Sequence, residues 1–230
     1  MTRAQLRRTA ITALAACAAT ALLGLCALVA LPALDRAFPP PLDPPALSAE
    51  VVDRDGDLLR AYAAADHAWR LPVKLDKVDP HFVEMLIAYE DKRFRDHHGV
   101  DPLAMLRAAG QLVAHGRIVS GGSTITMQLA RLMEPRTARS FGAKLRQALR
   151  AMQIERRLTK DEILERYLTL APYGGNLEGI RAASLAWFGK EPYRFTVAEA
   201  ALLVALPQAP ESRRPDRHPA AADAARDRVL

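Results

Sequence analysis

The sequence predicts a mainly helical domain that begins with a short β-hairpin and follows one transmembrane helix. Three observations lead to this fold class. A long uncharged stretch lies near the N-terminus, an alternating run then surrounds Asp55 and Gly56, and apolar residues recur at three-to-four spacing from Asp79 onward. Half of the 230 residues are hydrophobic, which is enough for one compact domain and an additional apolar segment.

The N-terminal segment predicts a membrane anchor. Thr9–Leu34 carries no charge and is longer than the roughly 20 residues that cross a bilayer core. A cleaved signal peptide is the alternative, but its apolar core of roughly 7 to 15 residues is shorter than this stretch. Because Arg3, Arg7 and Arg8 precede the span, the positive-inside rule places the N-terminus in the cytoplasm and the domain outside.

The chain divides into three predicted parts. Residues 1–35 form a cytoplasmic tail and the anchor, 36–48 a stiff proline-rich linker, and 49–230 the folded domain. Both cysteines, Cys17 and Cys26, lie in the predicted span, so the domain can form no internal disulfide. The net charge of +6 suits an anionic membrane surface or a phosphate-bearing ligand. Nucleic acid is not an expected partner of an exported domain.

The run EVVDRDGDLLRAY predicts two strands joined by a turn at Asp55 and Gly56. The alternating carboxylates Asp53, Asp55 and Asp57 also suggest a calcium loop. However, an EF-hand needs glycine at its sixth position, and Gly56 is the fourth residue counted from Asp53. The spacing therefore favours the hairpin.

Helix signals follow the hairpin. Asp79 followed by Pro80 predicts a helix start, and Asp101 followed by Pro102 repeats that signal. A further helix is predicted from about Phe141 to Leu158. Its predicted apolar face comprises Leu145, Leu149 and Met152, and its basic face comprises Arg146, Arg150 and Arg157.

Two neighbouring carboxylates, Glu90 and Asp91, stand near the end of the helix that starts at Pro80. The helix macrodipole disfavours negative charge there by a few tenths to about 1 kcal/mol, so helix stability gives no reason for them. Beside apolar Phe94, a carboxylate gains the basicity that general acid or base chemistry needs. The alternative is an exposed acidic pair that bonds to Arg93 or Arg95.

The stretch SGGSTITMQLAR predicts a second part of the site. Two glycines precede Ser123, which is expected to cap a helix that begins at Thr124. Free backbone N–H groups at a helix start bind phosphate oxygens, although an ordinary N-cap is the alternative. No Gly-Lys-Ser/Thr follows, so the stretch is not a Walker loop. Together with the carboxylate pair, it suggests acid/base chemistry on a phosphorylated substrate.

Five ordered segments resemble the motifs of a known family. EDKRFRDHHG resembles EDxxFxxHxG, the first motif of the glycosyltransferase family 51 domain, which is the peptidoglycan polymerase module of class A penicillin-binding proteins. The second motif is similar to GGSTITMQLAR, and the remaining three are similar to AKLRQ, DEILERYLTLAPYGGNLEGIRAAS and EAALLVALPQAP. The resemblance covers the chain from about Ser48 onward, and the APYGG and LPQAPESRRPDRHP segments look closest to the 1C type within this class.

The resemblance implies a lysozyme-like helical domain that polymerises lipid II. In that reaction an acceptor GlcNAc 4-hydroxyl attacks the lipid-linked MurNAc C1 with inversion and releases undecaprenyl pyrophosphate. A lysozyme-like glycosidase and a catalytically weak, membrane-anchored assembly protein are the alternatives. Expected partners are lipid II, the growing glycan strand, the bacterial inner membrane and cell wall synthesis proteins. The expected cofactor, if any, is a divalent cation, Mg²⁺ or Mn²⁺, and no organic cofactor is expected.

The resemblance also implies roles for individual residues. Glu90 matches the catalytic base, and Gln147 stands at the position of the family's second catalytic glutamate. The residues expected to bind or support the substrate are Asp91, Phe94, His97, Arg107, Ser123, Thr124, Gln128, Arg131, Lys144 and Arg146. No metal ligand is assigned.

Departures from the family pattern concern three positions and one missing motif set. An amide at Gln147 can donate a hydrogen bond, but it cannot shuttle a proton or hold a metal ion by charge. Met127 replaces a glutamine, and Thr169 replaces an asparagine. No Ser-x-x-Lys followed by Lys-Thr-Gly is present, so the chain is expected to be a fragment or a truncated form without transpeptidase chemistry.

Overall fold

The computed structural model describes residues 32–43, 46–115, 122–134 and 140–230. The predicted membrane span Thr9–Leu34 lies almost entirely outside these residues. Within them, no helix is both long enough and apolar enough to cross a bilayer. The chain divides at residue 40, and the unit of residues 41–230 builds the candidate site.

The second unit is mainly helical, as predicted. Its described residues form eight α-helices: α1 (Pro80–Glu90), α2 (Pro102–His115), α3 (Ile125–Met133), α4 (Phe141–Glu155), α5 (Lys160–Leu170), α6 (Ile180–Phe188), α7 (Val197–Ala205) and α8 (Pro219–Arg226). Single 3-10 turns lie at Leu75–Lys77 and Leu206–Gln208. The strands are β1 (Ala49–Val52), β2 (Leu58–Tyr62), β3 (Trp69–Arg70) and β4 (Leu177–Glu178).

The predicted N-terminal hairpin is present. Strands β1 and β2 pair in antiparallel fashion, with Ala49 opposite Tyr62 and one bulge along the ladder. The carboxylate of Asp53 accepts hydrogen bonds from the N–H groups of Asp55 and Asp57, each at 2.9 Å. Asp53 therefore shapes the turn between the strands.

A second, parallel strand pair joins distant parts of the chain. The N–H of Trp69 in β3 donates to the carbonyl of Asn176 beside β4 at 2.8 Å. The guanidinium of Arg70 is only 3% exposed and donates to Glu178 at 2.7 Å and to Asp66 at 3.0 Å. Because two carboxylates compensate the buried charge, this cation can be held inside the fold.

Two of the predicted helix starts are confirmed, and a third is shifted. The carboxylates of Asp79 and Asp101 cap α1 and α2 by accepting hydrogen bonds from backbone N–H groups. The N-cap of α3 is Thr124 and not Ser123, because the Thr124 hydroxyl accepts from the N–H of Met127 at 3.1 Å. The helix therefore begins one residue later than predicted.

Helix α4 ends at Glu155, three residues before the predicted end, and its predicted apolar face is wrong in part. Leu145 is 54% exposed, whereas the fully buried apolar side chains are those of Ala151 and Ile154. Burial is confined to the C-terminal half of the helix, since residues 142–147 are exposed or half-buried. Helical periodicity predicts which face of a helix is apolar. It does not predict at which residue along the helix that face begins to pack against the core.

The core lies between the helices that carry the motif-like segments named above. Helices α1, α3, α5 and α7 contribute most of its fully buried large side chains, which include Phe82, Leu86, Ile125, Leu129, Ile163, Tyr167 and Leu203. Burying each such apolar side chain contributes roughly 1.5–3 kcal/mol. This packing holds the end of α1 beside the start of α3, and so brings the first two motifs together.

Candidate active site

An open cleft of about 810 Å³ lies where the first two motifs meet. Its walls come from the end of α1, the start of α2, the start of α3 and the 3-10 turn after α7. Seven of the predicted site residues line it: Glu90, Asp91, Arg107, Ser123, Thr124, Gln128 and Arg131. The fold therefore assembles residues from segments that are separate in the sequence.

Glu90 is the last residue of α1 and is half-buried in the cleft wall. Nε2 of Gln128 donates to its Oε2 at 2.8 Å, and Nε2 of Gln208 donates to its Oε1 at 2.7 Å. Both donors are neutral amides. Among the residues that the structure describes, no cation pairs with this carboxylate, so no ion pair neutralises its negative charge.

Two fully buried tyrosines lie behind Glu90. The hydroxyl of Tyr167 donates to Oε1 of Gln128 at 3.3 Å. Burial, and then the negative charge of Glu90, raise the pKa of Tyr167 well above its usual range, and the same two causes raise the pKa of Tyr173. Both hydroxyls therefore stay protonated at neutral pH. The Tyr173 hydroxyl has no hydrogen-bond partner within the described part of the chain.

Asp91 is buried and bonded on several sides. Its two oxygens lie 3.0 Å and 2.9 Å from Nε2 of His97, and its Oδ2 accepts from the N–H of Ile125 at 3.0 Å. These bonds tie the end of α1 to the start of α3. They also correct the expectation of a free anion cradle at that helix start, because Asp91 occupies the Ile125 N–H and Thr124 occupies that of Met127.

The remaining residues of the first motif support the cleft from behind. Phe94 and His97 are both buried, with their ring centroids 6.2 Å apart. Gly99 has a φ of +91° and lies against α4, where an added Cβ would be 2.6 Å from the carbonyl carbon of Ala151. The hydroxyl of Thr124 donates to the carbonyl of Gly99 at 2.6 Å. Only glycine fits this close approach.

Cations without acidic partners surround the cleft. Lys92, Arg107 and Arg131 line it, and among the described residues none of the three makes a salt bridge. The amine of Lys144, on α4, donates to the hydroxyl of Ser123. Partial desolvation, and then the positive charge of Arg131, lower the pKa of Lys144. A cluster of uncompensated cations is suited to a ligand with several negative charges, such as a pyrophosphate.

Other charges near the motif are already paired. Arg93 donates to both oxygens of Asp101, at 3.1 Å and 2.7 Å, and Arg95 pairs with Asp161 at 2.5 Å. Burial alone would raise the pKa of Asp101, but hydrogen bonds from the Ala104 N–H and from Arg93 outweigh it and lower the pKa. The alternative in which these two arginines bond to the carboxylates at the end of α1 therefore does not hold.

Comparison with known proteins identifies the family. The family model described as transglycosylase matches residues 55–230. The chain belongs to the transglycosylase family. The resemblance of its five motifs is thus confirmed, and the transglycosylase match begins within the predicted hairpin.

Two relatives of this transglycosylase chain are penicillin-binding proteins. Penicillin-binding protein 1C of Escherichia coli (strain K12) is 50% identical over 196 residues, which cover 85% of this chain and 25% of that protein. Penicillin-binding protein 1A of Aquifex aeolicus (strain VF5) is 40% identical over 186 residues, or 81% of this chain and 25% of that protein. The chain thus spans about a quarter of the length of these relatives.

One solved structure also aligns with the transglycosylase chain. It is the crystal structure of penicillin-binding protein 1A from Haemophilus influenzae. The alignment covers 81% of this chain and 18% of the Haemophilus protein's chain, at 19% sequence identity. The TM-score of 0.41 is too low to establish a shared fold.

Two predicted site residues of this transglycosylase lie apart from the cleft. Arg146 is exposed and Gln147 is half-buried on α4, and neither belongs to the described lining. Their proposed roles remain predictions. Among the residues with described positions, no group of three or more His, Cys, Asp or Glu side chains could hold a metal ion.

Sequence reasoning missed Lys92 and Gln208, which line the cleft of this transglycosylase, and Tyr167, which bonds to Gln128 behind it. Gln208 lies in the fifth motif, EAALLVALPQAP, where a polar residue directly follows a long apolar run. That change from apolar to polar residues is a weak signal of a surface position. No local pattern indicates that its amide reaches a carboxylate 118 residues earlier in the chain.

Proposed function

We propose that this chain is a peptidoglycan glycosyltransferase that polymerises lipid II into glycan strands. The observation that carries the proposal is the juxtaposition of Glu90, a carboxylate bonded only to neutral amides, with three cations that lack acidic partners among the described residues. A base and an anion-binding surface in one cleft match a reaction in which a hydroxyl attacks and a pyrophosphate leaves. Family membership supplies the substrate class.

Glu90 is proposed to act as the general base. It takes the proton from the acceptor GlcNAc 4-hydroxyl while that oxygen attacks MurNAc C1 of the lipid-linked donor, and the anomeric configuration inverts. A base must be ionised before the attack and must meet the proton within hydrogen-bond distance. The half-buried Glu90 lines the cleft, so an acceptor hydroxyl bound there would be able to approach its carboxylate.

The cations are proposed to bind the leaving group. Lys92, Arg107 and Arg131 would contact the pyrophosphate oxygens, and Lys144 would join them through or beside Ser123. Such donors stabilise negative charge as it develops on the departing undecaprenyl pyrophosphate. Because the described side chains supply no metal-binding cluster, the Mg²⁺ or Mn²⁺ ion would need phosphate and water ligands, and no step depends on it.

The wider setting of the chain follows from the same family. We infer a lysozyme-like domain held by a single span at the bacterial inner membrane, with the cleft on the periplasmic or extracellular side. Lipid II and the growing glycan strand are the proposed substrates, and cell wall synthesis proteins are the proposed partners. The supporting observations are the family match and the names of the relatives.

A glycosidase is the second candidate. The bonding of the other carboxylates in the cleft argues against this candidate. Most glycosidases use two carboxyl groups, roughly 5–9.5 Å apart depending on mechanism. In the described lining of this cleft, Asp91 is committed to His97 and Asp101 to Arg93. Glu90 therefore lacks a second free carboxylate in the described lining.

The test is polymerisation of labelled lipid II by the purified, detergent-solubilised chain. We expect glycan polymer from the parent and none from Glu90→Gln, which keeps the shape of the side chain but removes its basic oxygen. Glu84→Gln is the matched control, because Glu84 is an exposed residue on the same helix. Polymer from Glu90→Gln would refute the assigned base. A parent that releases sugars from finished glycan would favour the glycosidase, and one that consumes no lipid II would favour the assembly protein.

A further inference from the structure

Gln208 is held at both ends of its amide. Its Nε2 donates to Oε1 of Glu90 at 2.7 Å, and its Oε1 accepts from Nη1 of Arg213 at 3.2 Å. The same Nη1 also donates to the carbonyl of Ala205 at 2.6 Å. Ala205 is fully buried at the end of α7, so Arg213 is anchored to the core.

The two contacts fix which end of the amide faces Glu90. A glutamine amide can rotate by half a turn, and the rotated form of Gln208 would place its carbonyl oxygen against the carboxylate. A guanidinium carries donors only, so Arg213 must face the carbonyl oxygen of the amide. The NH₂ group of Gln208 is therefore directed at Glu90.

The opposite oxygen of Glu90 is held by the same kind of arrangement. Gln128 donates to Oε2, and its own carbonyl oxygen accepts from the protonated hydroxyl of Tyr167. Each carboxylate oxygen thus has one neutral donor, and each donor is oriented by a second group behind it. Gln128 and Tyr167 belong to α3 and α5, whereas Gln208 and Arg213 lie beyond α7.

Because Gln208 is exposed, its contact with Glu90 is not part of the packing of the core. Its side chain is exposed at the cleft, while Leu206 and Pro207 before it are fully buried and fix the backbone. A solvent-exposed hydrogen bond adds little to stability, and holding a long side chain in one geometry costs conformational entropy. Fold stability therefore gives little reason for an exposed glutamine held at both ends.

We propose that Gln208, oriented by Arg213, is a positioning residue for the general base Glu90. It fixes the orientation of the carboxylate through a neutral donor and supplies no positive charge that would compete for the proton. This inference rests on the proposed glycosyltransferase function. It assigns the fifth motif a task in the chemical step.

The test compares steady-state polymerisation by the parent and by Gln208→Met, which has nearly the same length and no donor. We expect kcat to fall at least about tenfold with KM changed less than about twofold, since the lost bond goes to a charged group. Gln208→Glu should lower kcat as well, because a second carboxylate would face Glu90 in place of the amide donor.

A double variant tests whether Arg213 acts through Gln208. If it does, Arg213→Met combined with Gln208→Met should be no slower than Gln208→Met alone, because coupled residues are not additive. Arg226→Gln is the matched control. That arginine pairs with Asp223 and Asp227 on α8 and should keep the parent kcat. Thermal melts establish that each variant is folded.

The outcomes separate this inference from the proposed function. An active parent with an unchanged kcat in Gln208→Met overturns the positioning role alone. A change in KM only overturns it too, and would make Gln208 a substrate contact. A parent that makes no polymer overturns the proposed function and this inference together. A fall in kcat with little change in KM supports both.

Discussion

His97 and Asp91 form a buried pair in which the ring Nε2 lies within 3.0 Å of both carboxylate oxygens. The side chains are only 2% and 4% exposed. Asp91 also accepts the first free N–H of α3, so a single carboxylate joins two motifs. Its neighbour Glu90 faces the cleft. The two adjacent carboxylates therefore differ in their contacts: Asp91 joins two motifs, and Glu90 is the proposed base.

Asp91→Ala is expected to lower the free energy of unfolding by about 3 kcal/mol. The substitution leaves the His97 ring nitrogen and the Ile125 N–H buried without an acceptor, and each such loss costs about 1–3 kcal/mol. Urea denaturation measures the change. Asp96→Ala, at an exposed position of the same motif, should change stability by less than about 0.5 kcal/mol. Equal effects of the two substitutions would contradict the supporting role of Asp91.

Gly99→Ala is expected to lower the free energy of unfolding by at least about 2 kcal/mol. A Cβ there would strain a backbone with φ of +91° and meet the Ala151 backbone at 2.6 Å. Gly110→Ala is the contrasting variant, because nothing lies within 4 Å of its added Cβ on α2. It should raise the free energy of unfolding by about 0.5–1 kcal/mol. Chemical denaturation distinguishes the signs.

Tyr173→Phe is expected to leave stability unchanged or to raise it by about 1 kcal/mol. The substitution removes a buried hydroxyl that has no partner within the described part of the chain, and so removes a desolvation cost. Tyr167→Phe should instead reduce kcat, because it releases the Gln128 amide that contacts Glu90. Denaturation curves and polymerisation rates for the two variants provide the check. A destabilised Tyr173→Phe would reveal a partner for that hydroxyl.

Stability is expected to fall in acid partly through Asp101, whose pKa is lowered below the usual value of 3.8. A carboxyl with a lower pKa in the folded state stabilises the protein above its unfolded pKa. That contribution is lost as the pH falls through the folded value. Asp101→Asn should therefore be less stable than the parent near pH 7 and should lose less stability between about pH 5 and 2. Thermal melts across this range would show parallel curves if Asp101 contributed nothing.

Lys144→Ala is expected to weaken use of lipid II by about tenfold in kcat/KM, since a charged hydrogen bond to phosphate contributes more than a neutral one. The side chain lies beside Ser123 and Arg131 at the edge of the cleft. Lys77→Ala, in the 3-10 turn before α1, is the control and should retain the parent value. An unchanged kcat/KM in Lys144→Ala would remove this lysine from the proposed pyrophosphate site.

Local signals predicted much of the fold. Asp79 and Asp101 were predictable as helix caps because a cap depends on the residue itself and on the few that follow it. The hairpin was predictable because its turn likewise depends on a few adjacent residues. The shift of the α3 cap to Thr124 and the exposure of Leu145 were not, because they depend on what packs against each helix.

The residues of the site were predictable only where they lie in a recognisable motif. The clustering of Glu90 with Gln128 follows from two recognisable segments that the core packs together. The contacts of Gln208 and Tyr167 cross 118 and 39 residues of sequence, and hydrophobic periodicity carries no information about such pairs. The family resemblance already implied different roles for Glu90 and Asp91. The structure adds the bonds of Asp91 to His97 and to the Ile125 N–H, which no local pattern indicates.

The parallel pairing of β3 with β4 has a consequence for folding kinetics. Arg70 and Glu178 are separated by 108 residues, so their contact closes a loop that contains the five helices α1 to α5. The entropy cost of closing a loop grows with its length, and local helices form far sooner than long-range strand pairs. The strand pair is therefore expected to form after α1 to α5. In refolding followed by hydrogen exchange, the Trp69 amide should gain protection later than the amides of those helices.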